Sequence, residues 1–155
     1  MDVSIPTVLK ALSSAGTAMK EFGAWKARAR GDERALIAEL KNNLHYLDLV
    51  AEDGVALREV VGKLSVTEYK KLANRGFNFE TIKKKSIDNY PSLAGTDLAA
   101  WPGKRTSELI ESIYDKINEL QIKFPYVEKN QNYRWGARVN NIRKRIWLLL
   151  RHVKK

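Results

Sequence analysis

Apolar residues recur along this chain at helical spacing, and nowhere do they alternate as a half-buried strand requires. Ile5, Val8, Leu9, Leu12, Ala15, Met19 and Phe22 predict an opening helix, with Ser4 as its cap and Pro6 in its first turn. Small residues crowd its middle, from Ser13 to Ala18. Gly16 and Gly23 each weaken a helix by about 1 kcal/mol relative to alanine, and in exchange allow another helix to approach closely. Gly31 interrupts, and Asp32 is placed to cap a second helix. That helix carries Leu36, Leu40, Leu44, Leu47 and Ala51 on one stripe, widened by Ile37 and Val50. Glu33, Glu39, Lys41 and Asn42 are expected to face outward, and Glu52-Asp53-Gly54 to end it.

Residues 55–64 read as a short apolar helix, and Ser65-Val66-Thr67-Glu68 as a capping box whose helix closes at Gly76. Phe77, Phe79, Ile82 and Ile87 suit one short helix after Asn78. Pro91, Gly95, Pro102 and Gly103 then punctuate a loop over 86–105, with one turn expected at Asp97–Trp101. Tyr90, Leu93, Leu98 and Trp101 give this loop enough apolar surface to be packed down. Thr106 or Ser107 is expected to cap a long helix through Leu109, Ile113, Ile117, Leu120 and Phe124, which Pro125 is expected to stop. The last helix, over 132–154, is the most regular. Trp135, Val139, Ile142, Ile146, Leu149 and Val153 step alternately by four and three, the seam of a helix in a bundle. The fold class expected is all-α: one domain over 1–155, a bundle of about four long helices plus short ones and one packed loop region.

Composition narrows the function classes. The chain has 155 residues, no cysteine and two histidines. Those counts exclude a disulfide scaffold, a thiol nucleophile and cysteine-ligated metal, and leave little for a histidine site; no metal and no cofactor is expected. His45 lies beside the apolar stripe of the second helix and reads as packed or half-exposed rather than as a ligand. No apolar run approaches the ~20 residues that span a bilayer, and the start of the chain lacks the pattern of a secretory signal. The expectation is a cytoplasmic protein.

Charge changes the picture most. The formal net charge is +10, and residues 129–155 hold nine Lys/Arg and no acid. Smaller basic clusters lie at Lys26, Arg28, Arg30 and Arg34, and at Lys83, Lys84 and Lys85. A cationic end attracts polyanions. Wound on a helix, Arg134, Arg138 and Arg145 fall on one flank of the seam, and Arg143, Arg151 and Lys154 on the other. The expectation is a broad basic face turned to solvent. Arginine outnumbers lysine there, and arginine grips phosphate bidentately. Tyr133, Trp135 and Trp147 lie among these cations as stacking platforms would. The expected nucleic-acid contacts are Arg134, Arg138, Arg143, Lys144, Arg145, Arg151 and Lys154, on RNA or DNA.

Other readings stand beside this one. The cations can complement the helix dipole or meet an acidic protein partner, with Glu108, Glu111, Asp115 and Glu119 of the preceding helix as internal partners. A basic amphipathic helix can also lie on an anionic membrane surface. Self-association would use Leu12, Gly16, Met19 and Gly23 of the first helix, as in a subunit of a larger assembly. Finally, Arg145 and His152, with six residues between them, resemble the R-x(4–6)-H element of HEPN-type ribonucleases. That resemblance implies a dimeric helical bundle that cleaves RNA without metal, with His152 as acid or base and Arg145 stabilising the phosphorane. The leading expectation is a non-enzymatic binding protein.

Overall fold

The last helix is the axis around which the others assemble. The computed structural model describes residue 5 and residues 7–154. Ser4, Pro6 and Lys155, and the side chains of Val8 and Ala15, lie outside the described residues. Among the described residues there are six α-helices: α1 (Ala15–Arg28), α2 (Gly31–Asp53), α3 (Leu57–Val60), α4 (Thr67–Asn74), α5 (Thr106–Val127) and α6 (Trp135–Val153). Among the described residues there is no strand, so the fold is all-α, with α1, α2, α5 and α6 as its long members. Short 3-10 turns cover Thr7–Leu12, Val61–Lys63, Phe79–Thr81, Pro91–Leu93 and Gln131–Tyr133. No helix among the described residues is long and apolar enough to cross a membrane.

One apolar core joins the six helices and four of the five turns, the Gln131–Tyr133 turn contributing nothing to it. Leu36, Leu40, Leu44 and Leu47 of α2, Ile113 and Ile117 of α5, and Ile142 and Ile146 of α6 are fully buried, as the seams predict. The 86–105 loop is packed down by Ile87, Leu93, Leu98 and Trp101, also as expected. Gly54 and Gly76 adopt left-handed backbone after α2 and α4. At Gly76 the amide bonds Ala73 O and the Phe77 amide bonds Leu72 O, which closes α4 in a Schellman motif.

Several local expectations are corrected. The opening segment is two pieces: a 3-10 turn ends at Leu12, and Ser14 caps α1 by accepting from the Thr17 amide at 3.3 Å. A serine at this point competes for backbone amides and so begins a helix rather than continuing one. Arg30, not Asp32, occupies the N-cap of α2, and Asp32 sits in its first turn. Arg105, not Thr106 or Ser107, occupies the N-cap of α5, and Pro125 does not stop that helix, which runs two residues further to Val127.

The capping box at 65–68 is replaced by a longer-range device. Glu39 of α2 is buried, not outward-facing. Its carboxylate accepts from Ser65 Oγ at 2.6 Å, the Glu68 amide at 2.8 Å and the Tyr69 amide at 3.1 Å. Asn43, one turn on, exchanges two hydrogen bonds with the backbone of Ser65, both 2.8 Å. The free amides at the start of α4 are thus satisfied by α2, and Glu68 is left to pair with Lys71 on the surface.

Candidate functional site

The centre of α6 is covered on every side. Residues 142–150 are all buried, because α1, α2, α5 and the Thr7–Leu12 turn surround the helix and the 86–105 loop closes over it. The expected solvent-facing basic flank therefore does not exist at Arg143, Lys144 and Arg145. Arg143 is 3% exposed. Its Nε donates to Asp48 Oδ1 at 2.8 Å, Nη2 to Glu52 Oε2 at 2.9 Å and Nη1 to Asn140 Oδ1 at 2.7 Å. Its guanidinium lies 4.8 Å from the Trp147 ring, and Trp147 is buried core rather than a stacking platform. Lys144, 1% exposed, ends on the carboxylate of Asp97 in the loop. Arg145 donates to Asp97 Oδ2 at 3.3 Å and to Asn141 O at 3.0 Å.

The energetic reason is simple. A cation removed from water is retained only if a carboxylate accompanies it. Burial pushes the Asp97 carboxyl up, but the Lys144 hydrogen bond and the Lys144 and Arg145 charges outweigh it and hold the group below its ordinary value. At Asp48 burial wins over Arg143, and the carboxyl is raised.

The remaining four predicted contacts lie at the two ends of α6. At its N-terminal end Arg134 is exposed and caps the helix in left-handed backbone, φ 50°. Arg138 donates to Glu119 Oε1 at 2.9 Å, which makes Glu119 the acid of α5 that meets this helix. Tyr133 and Trp135 stack with centroids 5.2 Å apart, and Arg138 lies over both rings.

The C-terminal end gathers more charge. Arg28 at the end of α1 donates to Val153 O at 2.5 Å, which ties α1 to the last turn of α6. Thr106, the first residue of α5, donates to Lys83 O at 2.7 Å and lies 2.7 Å from His152 Nε2. The threonine has one hydroxyl proton, already given to Lys83 O, so His152 Nε2 carries the proton of the second bond. This chain holds the 83–85 lysines against the end of α6. The two-residue link between α1 and α2 delivers Arg30 to the same place. The expectation that His45 is packed or half-exposed is corrected: it is exposed on α2.

Two cavities result, sharing Lys83. One of about 820 Å³ is lined by Arg28, Arg30, Lys83 and Lys84 with Asp32 and Glu33. The other, about 250 Å³, is lined by Lys83, Lys85, Arg151, His152 and Lys154 with Asp88 and Tyr90. Seven cations thus face three carboxylates. Lys154 also reaches Glu21 at 3.2 Å, Lys85 reaches Asp88 at 2.9 Å, and Arg151 lies 5.9 Å from the Tyr90 ring. Among the described residues, the side chains of Arg30, Lys83 and Lys84 have no hydrogen bond or ion pair.

Arg145 and His152 are not brought into one cavity. Seven positions apart on one helix, they are separated by roughly 10 Å. Arg145 is engaged by Asp97 and His152 by Thr106. The proposed self-association face is split: Leu12 and Met19 pack on the chain's own core, while Gly16 and Gly23 are exposed. No group of three or more His, Cys, Asp or Glu that could hold a metal occurs among the described residues. No family model, no curated protein and no solved structure matches this chain.

Proposed function

We propose that this protein binds nucleic acid through the surface built at the C-terminal end of α6, rather than through the length of that helix. The observation that carries the reading is the convergence of seven cations from α1, the α1–α2 link, the 83–85 segment and α6 on two adjoining cavities with three carboxylates. Cations of this density attract the phosphate backbone whatever the sequence, and each phosphate neutralised releases a counterion. Half-buried Tyr90 and Phe77 border the cavities, and ring faces at a cationic groove favour single strands. Of the contacts expected from the sequence, Arg151 and Lys154 line this surface, Arg134 and Arg138 lie at the opposite end of α6, and Arg143, Lys144 and Arg145 are buried.

Fluorescence anisotropy with labelled single-stranded RNA, single-stranded DNA and duplex DNA, each at two salt concentrations, tests the proposal. Binding that weakens steeply with salt, with the strands intact on a gel afterwards, is the expected result. No binding at low salt would overturn it and turn attention to an acidic protein partner. Cleaved RNA, lost in His152→Ala while binding persists, would replace it with the ribonuclease reading.

A further inference from the structure

The N-terminal end of α6 carries a cavity that shares no residue with the surface just described. It has a volume of about 390 Å³ and is lined by Lys116 of α5, Asn132, Arg134, Arg138 and Asn141, with Glu119 as its one carboxylate. Glu119 is already shared, by Arg138 at 2.9 Å and Lys123 at 3.4 Å. Asp97, behind Asn141, is taken by Lys144 and Arg145. With its amide oriented to satisfy both neighbours, Asn141 donates to Asp97 Oδ2 at 3.1 Å and to Ala137 O at 3.3 Å. The Lys116 ammonium is half-buried and has no hydrogen bond or ion pair among the described residues. Burial, with Arg145 and Arg138 beside it, holds that ammonium below its ordinary value.

The backbone contributes a second observation. Arg134 is the one residue other than glycine with positive φ among the described residues. An arginine held in that region marks a place where the surroundings dictate a strained conformation. Here the strain brings a third cation to a cavity that Lys116 and Arg138 already line.

We infer that this cavity binds a phosphate monoester group. Lys116, Arg138 and the side-chain amide of Asn132 offer donors on several sides, with the charge of Arg134 beside them, which suits a tetrahedral dianion better than a planar carboxylate. Arg138 Nη2, which makes no hydrogen bond among the described residues, and the Lys116 ammonium are the donors closest to being uncommitted. The volume exceeds that of a phosphate alone and leaves room for an ester substituent. The ring faces of Tyr133 are occupied by Trp135 on one side and by Arg138 and Lys123, so base stacking is not part of the site.

Calorimetric titration with inorganic phosphate, and separately with glycerol phosphate, tests the inference on the full chain. Saturable binding of both is expected, tighter for the ester. Lys116→Met should weaken it at least about tenfold, the loss of one charge-assisted contact, and Lys84→Ala should leave it unchanged. Tighter binding of inorganic phosphate than of the ester would restrict the site to the free ion and overturn the monoester assignment. If Lys116→Met does not fold, the Lys116 ammonium is followed by NMR in the unmodified protein, and its pKa should rise when phosphate is added. Unsaturable binding, binding indifferent to Lys116→Met, or an unmoved Lys116 pKa would each overturn the inference. Loss of phosphate binding in Lys84→Ala alone would assign the ion to the opposite end of α6.

Discussion

Lys144, at the centre of α6, places its ammonium on the carboxylate of Asp97, a residue 47 positions earlier in the 86–105 loop. Arg145 reaches the same carboxylate, so one acid holds two buried cations and pins the loop across the helix. The pair is unequal. The Lys144 side chain is 1% exposed, and that of Asp97 is 33% exposed.

That inequality predicts an unequal cost of substitution. Asp97→Ala strands two buried cations and should destabilise the fold by about 3 kcal/mol, the low end expected for breaking a buried pair because Asp97 is partly solvated. Lys144→Met strands nothing, since Asp97 keeps Arg145 and water, and should cost clearly less. Urea unfolding of the two variants measures the difference. Acid should act through the same group. Its folded pKa lies below the unfolded 3.8, so the stabilisation is complete above that pH and is lost as pH falls through the folded value. Asp97→Asn should lack this acid limb.

His152 predicts a second pH dependence, at milder acidity. Burial chiefly, then Lys83 and Lys85, lower its pKa from 6.5, against the opposing pull of Asp88 and Glu80. A depressed histidine pKa means that protonation favours the unfolded chain. Stability is therefore full above pH 6.5 and declines as pH falls through the folded pKa. Denaturant unfolding at about pH 7.5 and pH 5.5 should show the decline in the natural chain, and His152→Gln should flatten it. Equal pH dependence in both proteins would refute this assignment.

Glu39 predicts a local effect transmitted between helices. Glu39→Ala removes the acceptor for Ser65 and for two amides of α4, and should cost about 3 kcal/mol. Glu39→Gln keeps one acceptor and should cost less. Hydrogen exchange at the Glu68 and Tyr69 amides should accelerate in Glu39→Ala before the rest of the molecule is affected.

The sequence pattern carries the helices and their seams well, because apolar spacing reflects one covered face. It misplaces residues where a second face is covered too. Arg143, Lys144 and Arg145 fall beside a regular seam and read as a solvated flank. The opposing signal is the uninterrupted apolar run from Ile146 to Leu150, which covers the helix all round and marks it as central. Their partners Asp48 and Asp97 were not legible, since ion pairs across 95 and 47 positions leave no spacing to read. Glu39 was lost for the same reason. A charged residue next to an apolar stripe reads as outward-facing until its distant amides are known. The basic clusters at 26–34 and 83–85 were visible as clusters. Their meeting at the end of α6 depends on Thr106, Arg28 and His152, whose contacts arise only in the fold.

The division of labour among the cations is tested most directly by salt titration of nucleic-acid binding in two variants. One carries Lys83→Ala, Lys84→Ala and Arg151→Ala together; the other carries Lys144→Met. The triple variant should bind more weakly, and its log–log salt slope should fall by about one for each cation that meets a phosphate. Lys144→Met, once shown to be folded, should keep the slope of the natural chain. An unchanged slope in the triple variant, or a slope that falls only with Lys144→Met, would contradict the account.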